Sequence, residues 1–159
     1  MFEFFLEAAK EQNKIVNLHT RGAEKEVLVL LKKYEIQRAI IHWYSGPLDI
    51  LDKLVDTGAY FTIGVEVLDS EHITTIAQVL PAERLLTETD NPGGQMWLRG
   101  ILGMPSLIKE VIQILAEVKN TTEQVIIQTI ETNFARLIQG DPWLSEINAK
   151  FFKKMDSNT

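Results

Sequence analysis

Short apolar runs and helix-period stripes alternate along this chain about every 23 to 25 residues, and that rhythm leaves little choice of architecture. Residues 14–19, 38–44, 60–68 and 84–90 read as strands. They are apolar on consecutive positions, as parallel strands covered on both faces must be. Helical spacing fills the intervals at 23–34, 47–56 and 70–80, with a further helix over 2–12. Asp69 or Ser70 stands where the third of these intervals needs an N-cap. Residues 91–98 read as a looser stretch. Three more helices follow, over 105–119 with Pro105 in its first turn, over 121–138, and over 142–155. Thr121-Thr122-Glu123-Gln124 resembles a capping box, and Asp141 is placed to cap the last helix ahead of Pro142. The expected fold is α/β, a parallel sheet of about four βα units with extra helices at its carboxyl end. No linker divides the chain.

Composition removes whole classes of function. With no Cys, the chain has no disulfide, no Cys-ligated zinc, no iron–sulfur cluster and no cysteine nucleophile. The formal net charge of −6 argues against a broad basic face that grips duplex phosphates by bulk charge. Apolar runs stay well short of the roughly 20 residues of a membrane span. Glu3 and Glu7 break up the opening segment, which therefore lacks a signal peptide's basic start and clean apolar stretch. A cytoplasmic location without membrane attachment is expected.

The chemistry-bearing residues gather at one place in this scheme. His19, His42 and Asp90 end three different strands, and in parallel α/β folds the carboxyl edge of the sheet is where ligands bind. A lone His at a strand end is most often structural; two at equivalent ends beside an Asp form a ligand set for Zn²⁺, Mn²⁺, Mg²⁺ or Fe²⁺. Such a cation activates water, and Asp90 is the candidate general base. Glu88 alternates with Asp90 and can share its face. Glu66, near the end of the third strand, reaches the same mouth or serves as an ordinary helix-entry carboxylate. Arg21 is the best cation for a substrate phosphate. Trp43 and Tyr44 read as rim or core aromatics, with base stacking as the functional alternative. His72 reads as a surface residue.

His19-Thr20-Arg21-Gly22, His42-Trp43-Tyr44-Ser45-Gly46 and Glu88-Thr89-Asp90-Asn91-Pro92 resemble, in order and spacing, three signature blocks of the TatD family of metal-dependent hydrolases. Asn133-Phe134-Ala135-Arg136-Leu137 resembles the family's closing block. The resemblance implies a (β/α)8 TIM barrel with divalent metal at its mouth and, in several members, deoxyribonuclease activity. It implies metal ligation by His19, His42 and Asp90, and supporting roles for Glu88, Arg21 and Asn91. Trp43-Tyr44 replaces the family's usual Cys-Phe. The family's His-x-His pair and its Gly-Glu-x-Gly-Leu-Asp block do not occur in this sequence, so the chain is expected to match the carboxyl-terminal half of such a barrel.

On this reading residues 1–138 form the half-barrel, and residues 139–159 an amphipathic helix and tail. A half-barrel has two unpaired strand edges and an inner face, with Leu18, Ile41, Ile63 and Leu86 expected on it. Homo-oligomerisation, or pairing with a chain that supplies the other strands, is therefore expected. The stripe Trp143, Ile147, Phe151 and Met155 (or Leu144 and Phe152) is expected to cover apolar surface. Three functions are open at this point. They are metal-dependent phosphodiester hydrolysis with DNA or another phosphodiester as substrate, a non-catalytic half-barrel or interaction subunit, and amide or ester hydrolysis on the same scaffold.

Overall fold

A computed structural model describes the backbone of residues 1–156 and the side chains of residues 1–150. Four parallel strands, β1 (Val16–His19), β2 (Ala39–His42), β3 (Tyr60–Ile63) and β4 (Leu85–Thr87), lie side by side in chain order. Register aligns His19 with His42 and Ile40 with Tyr60. This sequential order, each strand next to its predecessor, is how a parallel barrel grows.

Among the described residues, eight α-helices accompany the sheet: α1 (Phe2–Glu11), α2 (Glu24–Lys33), α3 (Leu48–Val55), α4 (Glu71–Val79), α5 (Gly93–Arg99), α6 (Ile108–Val118), α7 (Glu123–Ile138) and α8 (Pro142–Asp156). Local chemistry sets several of their ends. Ser70 Oγ accepts the Ile73 amide at the start of α4, and Thr122 Oγ1 accepts the Val125 amide at the start of α7. Asp141 Oδ1 accepts the Trp143 and Leu144 amides at 3.1 Å each and so caps α8. These hydrogen bonds, with Lys14 3.3 Å away, hold the Asp141 carboxyl below its ordinary pKa; the Leu144 amide is the largest cause.

The main core fills one face of the sheet. Ile41, Phe61, Ile63 and Leu85 pack there against Leu6 of α1, Leu31 of α2, Leu54 of α3, Ile76 of α4 and Leu115 of α6, all buried. Each such side chain contributes about 1.5–3 kcal/mol by leaving water. The opposite face holds a smaller cluster of Tyr60, Leu86 and Leu137, with Ile15, Ile40 and Ile130 against it.

Three expectations need correction. Leu18, Ile41 and Ile63 do not line the inner face. Strand parity turns them toward the helices, and of the four only Leu86 lies opposite. Residues 64–68 are not strand: the chain leaves β3 at Gly64, and Val65–Leu68 coils into a 3₁₀ turn. A Cβ at Gly64 would lie 3.3 Å from the Glu88 side chain, so glycine here leaves room for that carboxylate. The looser stretch after Pro92 contains α5. On the inner face, α7 covers Tyr60 and Leu86 through Leu137 and Ile130.

Asn133 is the reason α7 sits where it does. Its buried amide donates to the carbonyls of Ala82 (2.7 Å) and Leu85 (2.8 Å), fixing the helix to the start of β4. Leu137 then reaches Tyr60 and Leu86, while Arg38 Nε donates to the Leu137 carbonyl at 3.0 Å. In α8, Trp143 and Ile147 are exposed. Phe151, Phe152 and Met155 of the expected stripe have side chains outside the described residues.

Candidate metal centre and substrate cleft

Both expected imidazoles stand at the carboxyl edge of the sheet, on the face opposite the main core. The register of β1 and β2 sets them abreast, with ring centroids 5.4 Å apart. His19 is exposed and His42 half-buried.

Glu88 organises the site. It follows β4 and carries three hydrogen bonds. His42 Nδ1 lies 2.5 Å from Oε2, while Oε1 accepts from Thr62 Oγ1 at 2.7 Å and from the Trp43 amide at 3.1 Å. A carboxylate only accepts, so His42 carries its proton on Nδ1 and turns the Nε2 lone pair outward. That lone pair faces Asp90, whose Oδ1 is 3.8 Å from Nε2. Orientation of a histidine by a carboxylate on its far nitrogen is the usual support of a metal-ligating imidazole. Trp43 and Asp90 both take positive φ, 50° and 45°, which lets each strand end turn sharply at the mouth.

A cleft of about 320 Å³ opens over this edge, lined by His19, Arg21, Trp43, Ser45, Glu66, Asp90, Trp97 and Leu98. Glu66 does not join the imidazoles: its Oε2 accepts the Trp43 indole N–H at 2.5 Å and so pins that ring as a wall. The Trp43 ring edge also approaches Gly94, where a Cβ would come within 3.1 Å of it. Arg99 holds the far end of α5 by a two-pronged pair to Asp69, at 2.6 and 2.9 Å. That guanidinium lowers the Asp69 pKa. Asn91 is exposed beside Asp90, and a Cβ at Gly103 would come within 2.6 Å of its Oδ1.

Tyr44 is core, its hydroxyl donating to the Pro47 carbonyl at 2.6 Å and its pKa raised by burial. His72 is exposed and bonds the Gly46 carbonyl at 3.0 Å. Two contributors were missed in the sequence. Thr62 is marked there only by alternating with buried neighbours in β3. Trp97 lies in the segment whose paired glycines masked a helix.

The donor chemistry fits a divalent cation in part. An imidazole nitrogen and a carboxylate oxygen 3.8 Å apart suit a shared borderline ion, with the second imidazole alongside. Among the described residues, however, no cluster of three His, Cys, Asp or Glu side chains is arranged to hold one.

Parallel βα units with imidazoles and a carboxylate at the carboxyl edge put the candidate site where barrel enzymes carry theirs. Comparison with known proteins gives the family: residues 1–139 match the model described as TatD related DNase, and the chain belongs to that family. It is 28% identical over 145 residues to the uncharacterized metal-dependent hydrolase YcfH of Escherichia coli K12, covering 88% of this chain and 55% of that protein. It is 29% identical over 140 residues to the uncharacterized metal-dependent hydrolase MJ1582 of Methanocaldococcus jannaschii, covering 87% and 55%. Its fold matches the crystal structure of the TatD homolog YJJV from Escherichia coli K12 with a TM-score of 0.77 at 24% identity, covering 83% of this chain and 52% of that one. The chain thus spans about half the length of the relatives it matches. No described helix is long and apolar enough to cross a membrane.

Proposed function

We propose that this chain carries the site of a metal-dependent phosphodiester hydrolase, with DNA or a short oligonucleotide as the substrate class. The observation that carries this reading is the oriented His42, held by Glu88 on one nitrogen and presenting the other toward Asp90. His19, His42 and Asp90 are the residues that would hold a divalent ion (Zn²⁺, Mg²⁺ or Mn²⁺). When bound, such an ion supplies a Lewis acid for the phosphoryl oxygen and a more acidic water. Asp90, exposed beside it, accepts the proton of the attacking water. Arg21, exposed on the cleft wall, pairs with non-bridging phosphate oxygens. The family description, TatD related DNase, supports the phosphodiester in preference to an amide or ester.

A second reading rests on the lack of a three-donor cluster among the described residues: a binding subunit without turnover. Among the described residues, strands β1 and β4 each pair on one side only, so a second chain, another copy or a different one, would be able to extend the sheet. Calorimetric titration with Mn²⁺ or Zn²⁺, alongside hydrolysis of a chromogenic phosphodiester and a chromogenic ester, separates the readings. The enzyme reading expects metal uptake, phosphodiester cleavage abolished by chelator, and loss of both in His42→Ala and Asp90→Ala. Absence of metal uptake at any concentration tested supports the binding subunit. Cleavage of the ester alone refutes the phosphodiester assignment.

A further inference from the structure

We propose that Trp97 is a base-stacking residue that selects unpaired nucleobases at this cleft; the proposal rests on the phosphodiester reading above. Two indoles line the cleft, and they differ in freedom. Trp43 is fixed, its N–H on Glu66, its ring edge against Gly94 and its backbone amide on Glu88. Trp97 stands on α5 one turn after Gly93 and is 83% exposed, so its ring faces are open to a ligand. The helix that carries it is anchored at its end by Arg99 on Asp69. A ring that is free on a held backbone is what a stacking platform requires.

The cleft also selects the kind of occupant. Its volume of about 320 Å³ lies at the small end of ligand pockets. That is room for a single splayed-out unit. Arg21 supplies the only Lys or Arg side chain among the lining residues, and Asp90 lines the same cleft. A phosphodiester paired with Arg21 places its neighbouring base within the same small space, where the aromatic surface is. Base–aromatic stacking is sequence-tolerant, because every base has a π-face, and it acts on unpaired bases. Bulk charge cannot provide this affinity on a chain of net charge −6.

The test is equilibrium binding under chelator, which needs no turnover. A short oligothymidylate and an abasic oligonucleotide of the same length and charge are titrated against the whole chain, with tryptophan fluorescence and anisotropy as readouts. The wild type is expected to bind the thymidylate at least about fivefold tighter than the abasic strand and to show quenching. Trp97→Ala should erase that preference while leaving the abasic affinity unchanged. Trp97→Phe should keep most of it, and Trp143→Phe all of it. Equal binding of the two strands by the wild type overturns the stacking proposal and leaves the phosphodiester reading standing. Binding of neither strand overturns both. Unchanged preference in Trp97→Ala, with circular dichroism showing a folded variant, assigns the exposed indole to something other than base recognition and also overturns the proposal.

Discussion

Replacing Glu88 by Gln tests the logic of the metal centre at a single atom. In the native site Oε1 receives two donors, Thr62 Oγ1 and the Trp43 amide, and Oε2 faces His42 Nδ1. A carboxamide has one oxygen and one NH₂. Two donors converge on the Oε1 position, so the amide settles with its oxygen there and its NH₂ toward His42. Nδ1 must then accept, which moves the ring proton to Nε2 and removes the lone pair facing Asp90. The stability cost is small, because two of three hydrogen bonds persist and the shape is kept. Exchanging a charge-assisted bond for a neutral one costs about 1 kcal/mol, reduced by the partial exposure of both side chains. Metal affinity falls much further, about 10–100-fold, the effect of removing a ligand's supporting partner. Urea denaturation measures the first quantity, calorimetric titration with Mn²⁺ or Zn²⁺ the second, and the ¹⁵N shifts of the His42 ring report the tautomer. A Glu88→Gln protein that binds metal as tightly as wild type, with its proton moved to Nε2, would refute the reasoning.

Three further perturbations probe the frame. Asn133→Ala removes both side-chain donations that tie α7 to the start of β4, although the Ala82 carbonyl keeps the Leu85 amide; a loss of about 1–3 kcal/mol in urea denaturation is expected, and a loss under about 0.5 kcal/mol would mean that water replaces the amide. Gly94→Ala places a methyl group 2.6 Å from the Thr89 carbonyl and 3.1 Å from the Trp43 ring, so α5 must move; the expected readout is a shifted Trp43 emission with weaker metal uptake, and an unchanged spectrum counts against the packing. Asp141 has a folded pKa below its unfolded value, so its contribution is fully present above the ordinary carboxylate pKa of about 3.9 and disappears as pH falls through the lower folded value. Denaturation midpoints measured down that acid range should fall more steeply for wild type than for Asp141→Asn; parallel curves would remove Asp141 from the account.

Much of the frame is legible from residue types alone. β1, β2 and β4 show themselves as short apolar runs ending in His or leading to Glu88 and Asp90; Ser70 and Asp141 stand where the chain needs an acceptor, while the capping box that begins at Thr121 is off by one residue, the cap being Thr122. β3 reads too long, because Val65 and Val67 are buried in a 3₁₀ turn and apolar character alone does not separate that from a strand. α5 is hidden because Gly93 and Gly94 lower helix propensity, while close approach to Thr89 and Trp43 selects glycine. Which strand face meets the helices is a matter of parity, undecided for strands with apolar residues at nearly every position. At the mouth, His42, Glu88 and Asp90 are findable as residues. Their division of labour is not, since it depends on Thr62 and the Trp43 amide both donating to one oxygen of Glu88, which leaves the other for His42.

The ties between the end of α7 and the beginning of the sheet govern the order in which this molecule can be completed. Lys14 meets Asp141, and Arg38 grips the carbonyl of Leu137. A nascent polypeptide emerging from the ribosome as far as β4 has all four strands but nothing over Tyr60 and Leu86. Its sheet stays sticky on that side until α7 has been translated. Tyr60 and Leu86 are therefore shielded from water only once residue 137 has been added, and not when β4 forms.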